Sequence, residues 1–377
     1  MKFAHISDLH IGKRVNEFSM LEDQRYILNQ VLEKLQKEQV DAVLIAGDVY
    51  DKSVPSAEAV VLFDEFLTKL SALKMQVFII SGNHDCAERI AFGSEFFAKE
   101  GIHIAPVFDG SMKKVTLKDE FGDLDIYMLP FIKPSFVRRF FEEEIETYTD
   151  AVSCVIKHTK INGNVRNLLI AHQFVTGAVR CDSEEVTVGG LDNVDASVFE
   201  PFDYVALGHI HSAQRVWKDT IRYCGTLLKY SFSEAAQTKS ITIVELGKKN
   251  TEVVIANIPV TPLHDLRELK GTYEEITLRQ NYINTAVNDY CHITLTDEED
   301  IPDAIGKLRS IYPNIMRLDY DNTRTRNSRQ MTEPEIIEKR TPLELFEEFY
   351  ELQNNQKMSD CQKQYVTELI EEIWGTF

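Results

Sequence analysis

Short apolar segments of strand length, each followed by polar residues, most constrain what this 377-residue chain can fold into. These segments are KFAHIS, DAVLIAG, QVFIISG, LDIYMLP, NLLIAHQF and YVALGH. The two segments that connect the first three have apolar residues at helical spacing, namely Ile27, Val31, Leu32 and Leu35, then Val60, Phe63, Leu67 and Leu70. Strands that alternate with amphipathic helices predict a layered α/β domain.

Residues that can bind a metal ion follow five of these predicted strands. They are Asp8 and His10 in SDLH, Asp48 and Asp51 in GDVYD, Asn83, His84 and Asp85 in GNHD, His172 in AHQF, and His209 and His211 in GHIH. Ligands of an open α/β sheet bind outside the carboxyl ends of its strands, so these loops are expected to converge. The two-residue spacing in D-x-H and H-x-H lets both side chains of each pair face the same side. Carboxylate, imidazole and amide donors without a thiolate favour a borderline-to-hard divalent cation.

Each motif alone has an ordinary interpretation. An isolated D-x-H or H-x-H occurs by chance, and GNHD alone fits a tight turn. Five such motifs, each at the end of a predicted strand, favour a metal site over coincidence. The remaining histidines are interpreted as structural or surface residues, namely His5, His103, His158, His264 and His292.

Composition restricts the class of protein. The net charge of −19 and a pI near 5.0 disfavour a free-standing nucleic-acid binder. Basic residues near the motifs form either a local phosphate-binding patch or an ordinary solvated surface: Lys13, Arg14, Arg89, Arg180, Arg215 and Lys229. Six cysteines without a C-x-x-C pair predict reduced thiols. The sequence lacks an apolar run of membrane-spanning length and a signal-peptide pattern, so we expect a cytoplasmic protein that does not contact a membrane.

The chain is predicted to comprise a large domain over residues 1–265, a small α+β domain over 266–322, a polar linker over 323–340 and helices over 341–377. The first boundary rests on the proline-containing segment NIPVTPLHDLRELKG. The small domain is expected to contain a strand, a helix and a second strand.

The tail is predicted to form two amphipathic helices. The first begins with Thr341 as cap and Pro342 at the first helical position, and the second has Ser359 as cap. Their apolar residues are Leu345, Phe346, Phe349 and Leu352, then Val366, Leu369, Ile370, Ile373 and Trp374. Such faces either pack on the chain's own body or dock on a partner.

The motifs DLH, GDVYD, GNHD, AHQ and GHIH together resemble the calcineurin-like metallophosphoesterases. The stretches FVTGA, VGGLDNVD and CGTLLKYSFSE further resemble the SbcD branch of this family, the bacterial relatives of the double-strand-break repair nucleases. The resemblance extends over nearly the whole chain, including the tail. It implies a four-layer α/β/β/α sandwich that holds two divalent metal ions, most often Mn²⁺, with Mg²⁺ as an alternative. It also implies that the small α+β domain is a capping, DNA-binding domain and that the tail helices dock on the ATPase partner.

The resemblance also implies a role for each motif residue. Asp8, His10 and His211 would bind one metal ion, Asn83, His172 and His209 the other, and Asp48 would bridge them. His84 would contact the scissile phosphate and assist the leaving oxygen. Relatives outside the bacterial branch have a histidine at the position of Asp51, which receives no role here.

The predicted function is a metal-dependent DNA nuclease subunit that acts as a double-strand exonuclease and a single-strand or hairpin endonuclease. The implied partners are DNA and an SbcC-type ATPase with a coiled coil, in a heterotetramer that contains a homodimer of this chain. The alternatives are a phosphoesterase for small phosphate esters and an inactive scaffold of the same fold. Every motif position is filled, which disfavours the scaffold.

Overall fold

The computed structural model of the protein describes residues 1–105, 107–184, 192–330, 342–354 and 356–374. The chain divides into two compact units, Met1–Leu266 and Arg267–Phe377. The predicted cap Thr341 and part of the VGGLDNVD stretch lie outside the described residues.

The strands, numbered in chain order, are β1 (Lys2–Ile6), β2 (Arg14–Val15), β3 (Phe18–Ser19), β4 (Ala42–Ala46), β5 (Gln76–Ile80), β6 (Ile102–Ile104), β7 (Lys113–Asp119), β8 (Gly122–Leu129), β9 (Arg166–His172), β10 (Phe174–Val175), β11 (Asn193–Val194), β12 (Tyr204–Gly208), β13 (Gln214–Val216), β14 (Lys218–Tyr223), β15 (Ser240–Glu245), β16 (Val254–Pro259), β17 (Leu266–Gly271), β18 (Tyr290–Leu295) and β19 (Ile315–Tyr320). The α-helices are α1 (Leu21–Lys37), α2 (Ala57–Ala72), α3 (Ala87–Ile90), α4 (Ser94–Phe97), α5 (Pro134–Val137), α6 (Tyr148–His158), α7 (Tyr273–Thr277), α8 (Arg279–Tyr282), α9 (Ala304–Arg309), α10 (Thr323–Gln330), α11 (Pro342–Asn354) and α12 (Asp360–Trp374).

The first unit contains two six-stranded mixed sheets. Their strand orders are β16-β15-β1-β4-β5-β6 and β13-β14-β12-β9-β8-β7. In the first sheet β1, β4, β5 and β6 are parallel, and in the second β8, β9, β12 and β14 are parallel. All six predicted strand segments form strands of these sheets.

The two sheets pack face to face around a shared core. Side chains alternate along each strand, so Leu44 of β4 and Ile170 of β9 lie in this core. Leu169 of β9 lies in a separate core on the opposite face of the second sheet. Because both faces of the central strands are covered, these strands are apolar throughout rather than alternating.

Helices cover the outer faces. Crossovers between parallel strands are right-handed, which places α1 and α2 together on the face of the first sheet that is turned away from the second. On the second sheet, Val152 and Val155 of α6 pack in the outer core. The result is the predicted four-layer α/β/β/α sandwich.

The predicted buried face of α1 is confirmed, whereas that of α2 is partly wrong. Val60 is 45% exposed, and the buried residues of α2 are Ala59, Leu62, Phe63, Phe66 and Leu70. Helical spacing alone allows either register, because Val60 and Val61 extend the apolar segment beyond the width of one face.

The second unit contains the sheet β17-β18-β19. The expected strand, helix and strand are β18, α9 and β19. Its apolar core comprises Ile276, Cys291, Ile293, Leu295, Ala304, Leu308, Tyr312 and Ile315. Residues 323–330 of the predicted linker are helical and form α10, whereas residues 331–340 lie outside the described residues.

The two tail helices contact each other. Tyr350 of α11 accepts a hydrogen bond from Gln362 of α12 at 2.9 Å, and Lys363 pairs with Glu347 at 2.6 Å. Ser359 accepts a bond from the backbone of Gln362, as expected of the predicted cap. Among the predicted apolar side chains that the structure describes, Leu345, Phe346, Phe349 and Leu369 are exposed, whereas Val366 and Ile370 are partly buried.

The six cysteines are free thiols, as predicted. Within the described part of the chain, the helices are too short or too polar to cross a bilayer.

Candidate metal centre

The predicted ligands follow strands of both sheets and meet at one edge of the sandwich. Asp8, Asp48 and Asn83 follow β1, β4 and β5 of the first sheet. His172 ends β9 and His209 follows β12 of the second sheet. Because these strands are parallel and the sheets are stacked, their carboxyl ends deliver side chains to a common site.

Four of the predicted ligands have a left-handed backbone. The φ angles are 51° at Asp8, 42° at His10, 47° at Asp48 and 103° at His209. Residues other than glycine rarely adopt positive φ, and such strained positions concentrate at functional sites. The backbone reverses abruptly after the strands and turns these side chains toward one another.

Glycines allow the loops to pack closely beneath the ligands. A Cβ atom at Gly82 would overlap the carboxylate of Asp48, and one at Gly208 would overlap the carbonyl of Ala46. Gly47 combines a φ of 87° with close contact to the His172 ring. The glycines that precede these motifs are therefore required by the space that the ligands occupy.

The donor atoms form two adjacent groups. In the first, ligand atoms of Asp8, His10 and His211 lie within 4.8 Å of one another, and the Nε2 atoms of the two histidines are 3.2 Å apart. In the second, Asn83 Oδ1 is 3.1 Å from His172 Nε2 and 2.9 Å from His209 Nδ1.

Asp48 lies between the two groups. Its Oδ2 atom is 3.8 Å from His10 Nε2 and 3.3 Å from His172 Nε2, while Oδ1 accepts a bond from the backbone N–H of His84 at 2.9 Å. A single carboxylate therefore reaches both groups, which is the position of a bridging ligand.

The protonation states fit cation binding. Burial lowers the pKa of His209 and His211 to about 3, and lowers that of His10 well below its ordinary value. All three rings are consequently neutral at pH 7, the form in which a nitrogen lone pair can bind a metal ion. Burial opposes ionisation of Asp48, but the surrounding histidines hold its pKa below the usual range, so it is a carboxylate.

The centre also favours positive charge. Burial disfavours a charged His172, yet the adjacent Asp48 raises its pKa to about 9. Burial, reinforced by Asp48, raises the pKa of Asp8 above the usual range. The buried carboxylates of Asp8 and Asp48 destabilise each other when both are ionised, and a bound cation would relieve that repulsion. Carboxylate, imidazole and amide donors fit hard or borderline divalent ions.

Hydrogen bonds orient two of the imidazoles. His172 donates from Nδ1 to the carbonyl of Ala46 at 2.8 Å, and His211 donates from Nδ1 to Ser183 Oγ at 2.6 Å. Both bonds place a proton on Nδ1 and direct Nε2 toward the other ligands. At His172 a bound cation would have to replace the Nε2 proton that Asp48 favours.

The bond to His211 continues into a buried network that the sequence analysis did not identify. Ser183 donates to Glu234 at 2.7 Å, and Glu234 pairs with Lys239 at 2.6 Å. Glu184 accepts from the backbone N–H of His211 at 2.7 Å. Ser183 and Glu234 are 51 positions apart in the sequence, so no local pattern predicts their contact. Glu234 is the last residue of the stretch CGTLLKYSFSE, and that stretch is the signal by which the sequence could have indicated it.

His84, Asp51 and Asp85 surround the ligands. His84 is half-buried, donates from Nδ1 to the carbonyl of Asp51 at 3.2 Å, and lies within 4.8 Å of ligand atoms of His10 and Asp48. Asp51 is 3.7 Å from His10 Nδ1 and pairs with Lys13 at 2.7 Å. Asp85 accepts from the backbone N–H groups of residues 49, 50 and 82, which fixes the loops.

The histidines assigned to structural roles lie outside this cluster. His5 is buried between the sheets, with Nδ1 3.0 Å from the hydroxyl of Tyr204 and Nε2 3.1 Å from the carbonyl of Leu207. Burial lowers the pKa of His5 to about 3, so it is a neutral core residue.

Comparison with known proteins identifies two matching families. Residues 1–213 match the calcineurin-like phosphoesterase family, and residues 262–354 match the type 5 capsule protein repressor C-terminal domain. The chain is 35% identical to the SbcD subunit of nuclease SbcCD from Staphylococcus epidermidis over 99% of both chains. It is 36% identical to the protein of the same name from Staphylococcus saprophyticus over 84% of each chain.

Among solved structures, a dimetal phosphatase from Danio rerio superposes with a TM-score of 0.43 and 14% identity, over 70% of this chain and 98% of that one. Family membership rests instead on the family match over residues 1–213 and on the near full-length relatives. The chain therefore belongs to the calcineurin-like phosphoesterase family and, within it, to the family of SbcD nucleases.

Proposed function

We propose that this chain is the metal-dependent nuclease subunit of an SbcCD-type, ATP-dependent DNA repair complex. The observation that carries the proposal is the arrangement of two groups of donors, all buried except the partly exposed Asn83, around Asp48 at the carboxyl ends of strands from two sheets. The near full-length relatives, both of them SbcD subunits of nuclease SbcCD by name, support the same function.

The positions of the donors support one assignment of the metal ligands. Asp8, His10 and His211 would hold one divalent ion, Asn83, His172 and His209 would hold the other, and Asp48 would bridge both. The ions are Mn²⁺, because oxygen and imidazole donors without thiolate suit it better than zinc, and Mg²⁺ is the second choice. When bound, such ions neutralise a phosphodiester and lower the pKa of water to supply hydroxide.

Residues of the chain supply the remaining chemistry. His84 is beside the ligands, and its Nδ1 is held by the Asp51 carbonyl. In this position the ring contacts the scissile phosphate and provides a proton to the leaving oxygen. General acid catalysis of this kind contributes about 10²- to 10⁴-fold in rate. Neutral, buried His10, His209 and His211 do not compete for that proton.

The substrate is DNA, cut exonucleolytically at double-stranded ends and endonucleolytically in single strands and hairpins. With a net charge of −19, the chain has little general attraction for a polyanion. The partner therefore supplies much of the DNA-binding surface. The exposed apolar residues of α11 and α12 dock on the coiled coil of an SbcC-type ATPase, in a heterotetramer built on a homodimer of this chain.

A cleavage assay tests this function. Linear duplex, hairpin and single-stranded DNA are incubated with Mn²⁺, with and without the ATPase and ATP, and a small aryl phosphate ester serves as comparison. We expect DNA cleavage that chelation abolishes and the ATPase with ATP stimulates. Hydrolysis of the small ester without DNA cleavage would support the small-molecule phosphoesterase instead, and full DNA cleavage in excess chelator would contradict the metal mechanism.

A further inference from the structure

A cavity of about 420 Å³ adjoins the metal centre and is not used by the mechanism above. Asn83 forms part of its wall, so it begins at a proposed metal ligand. The loop after β5 lines one side, and the segment around α5 lines the other. This segment follows β8 of the second sheet.

Aromatic side chains form much of the wall. Phe131, Phe136 and Phe140 line the cavity, and Phe136 and Phe140 remain 38% and 48% exposed. Phe108 contacts Phe140 edge to face at a centroid distance of 5.6 Å and thereby fixes its ring. A cluster of large exposed rings in a concave site indicates ligand binding.

Two cations line the same cavity. Lys133 Nζ is 5.7 Å from the centroid of Phe131, and Arg139 Cζ is 5.7 Å from that of Phe136. Neither cation has a salt-bridge partner among the described residues. Two carboxylates are also present, but Asp85 is bonded to backbone N–H groups and Glu88 accepts from Cys86. The chain as a whole is acidic, so a cavity lined by two cations and several aromatic rings is unusual for it. Such a lining favours a ligand that is an anion and carries an aromatic group.

A second cavity, of about 160 Å³, connects this wall to the metal ligands. It is lined by His209 and Phe174 and shares Asn83, Phe131 and Lys133 with the larger cavity. A phosphodiester held at Asn83 and His209 would thus have Phe131 and Lys133 at its side. Because the two cavities share these wall residues, the base of a flanking nucleotide would lie on the side of the larger cavity.

We propose that the larger cavity binds one unpaired nucleobase of the cleaved strand, stacked on the rings of Phe131 and Phe136. The inference rests on the proposed nuclease function and specifies its substrate at the site. A base inside a duplex is already stacked and paired, so it enters the cavity only from a frayed end, a loop or a single strand. The cavity therefore selects for locally melted DNA.

The test scans a single abasic residue across the positions that flank the cleaved bond of a single-stranded oligonucleotide. Binding is measured by fluorescence anisotropy with Ca²⁺, and cleavage with Mn²⁺. We expect an abasic residue at one flanking position to raise Kd and KM about tenfold, the usual effect of losing one stacked base, with a smaller change in kcat.

The matched variants are Phe136→Ala and Phe121→Ala. Phe121 is 47% exposed but does not line the cavity, so its variant should bind as wild type does. Phe136→Ala should weaken binding of intact DNA about tenfold and abolish the additional effect of the abasic residue, because both changes remove one contact. Metal content measured on both variants confirms that the centre remains loaded.

Two outcomes would contradict the proposed base-binding subsite. The first is that every abasic substrate binds with the same Kd as the intact oligonucleotide. The second is that the abasic residue weakens binding to Phe136→Ala by as much as it weakens binding to wild type. Failure of the nuclease function gives a different result. In that case the protein would leave DNA uncut, while anisotropy would still report the dependence on the flanking base.

Discussion

At the scale of single residues, burial and the nearest charged group together decide the protonation states of the centre. His209 and His211 are neutral because burial lowers their pKa to about 3, whereas the neighbouring His172 has a pKa of about 9 because it contacts Asp48. His84 is only half-buried, although it is directly adjacent to Asn83 in the sequence. Asn83 and His84 are neighbours in the GNHD motif, and we propose different tasks for them: Asn83 binds a metal ion and His84 contacts the substrate.

We expect His84→Gln to retain both metal ions and to lose about 10²-fold or more in kcat, because it removes a proton donor but no ligand. Asp48→Asn should weaken the binding of both metal ions, because the Asp48 carboxylate reaches both groups of donors. The measurements are metal content by mass spectrometry and turnover for each variant. His103→Gln, remote from the centre, is the control. Equal loss of metal in His84→Gln and Asp48→Asn would contradict the assigned role of His84.

At the scale of elements, strands deliver the ligands and neighbouring loops fix their orientation. His211 lies beyond β12, and its ring is held by Ser183 from the loop after β10, which in turn bonds to Glu234. Partners of this kind typically change metal affinity about 10- to 100-fold when they are removed. The segment that contains Glu234 and Lys239 therefore belongs functionally to the centre, although it includes none of the ligand motifs.

Ser183→Ala should weaken binding at one of the two metal sites about tenfold, because His211 loses the acceptor that fixes its ring. Ser231→Ala is the matched control: this hydroxyl also donates to Glu234, at 3.1 Å, without contacting His211. Isothermal titration with Mn²⁺ measures both affinities. A wild-type binding curve for Ser183→Ala, or an equal loss in both variants, would show that the bond does not position the ligand.

At the scale of the whole first unit, an ionic cluster closes the end of the sandwich that is opposite to the metal centre. Buried Arg166, at the start of β9, donates to Asp119 of β7 at 2.9 Å and to the carbonyl of Leu246 after β15 at 3.1 Å. The N-terminal ammonium of Met1 also donates to Asp119, at 2.9 Å. The cluster joins the two sheets at the amino ends of the strands that carry ligands at their carboxyl ends.

Asp119→Asn should lower the free energy of unfolding by about 2 to 3 kcal/mol, the value of a charged hydrogen bond, and should leave metal affinity unchanged. The bond to Arg166 holds the pKa of Asp119 well below its usual range. The stabilisation is therefore complete above about pH 4 and declines as the pH falls toward the lowered pKa. Urea unfolding of wild type and Asp119→Asn at pH 7 and at pH 3 measures the free energy of unfolding of both proteins. If the difference between these free energies is larger at pH 3 than at pH 7, the proposed effect of the pairing is contradicted.

The tail should be dispensable for folding and chemistry but required for partner binding. The described core of the second unit contains no residue of α11 or α12, and Phe346 and Phe349 are 42% and 55% exposed. A variant that ends at residue 340 should retain its thermal transition, metal content and basal cleavage, and should lose co-purification with the ATPase and stimulation by ATP.

The full-length double variant F346S and F349S provides a second test, with Phe121→Ser as control for loss of an exposed ring. We expect loss of ATPase binding in the double variant alone. Unfolding of the truncated chain, or undiminished ATPase binding in both tail variants, would place the docking surface elsewhere.

The strands, the α1 face and the residues that meet at the centre could be predicted because each depends on local sequence. The periodicity of apolar residues indicates which side of an element is buried. Ligands bind outside the carboxyl ends of parallel strands, so polar residues that directly follow such strands are candidates for the site. The five motifs therefore indicated both the α/β sandwich and the donors of the centre before any contact was known.

Only the tertiary structure decided the features that depend on contacts between distant segments. Ser183, Glu234 and Lys239 meet behind His211 through the packing of separate loops, and Arg166 pairs with Asp119 across 47 positions of the chain. Helical spacing likewise could not determine that Val60 faces solvent. Periodicity within a segment carries no information on which other segment packs against it, and for these residues that packing determines the role.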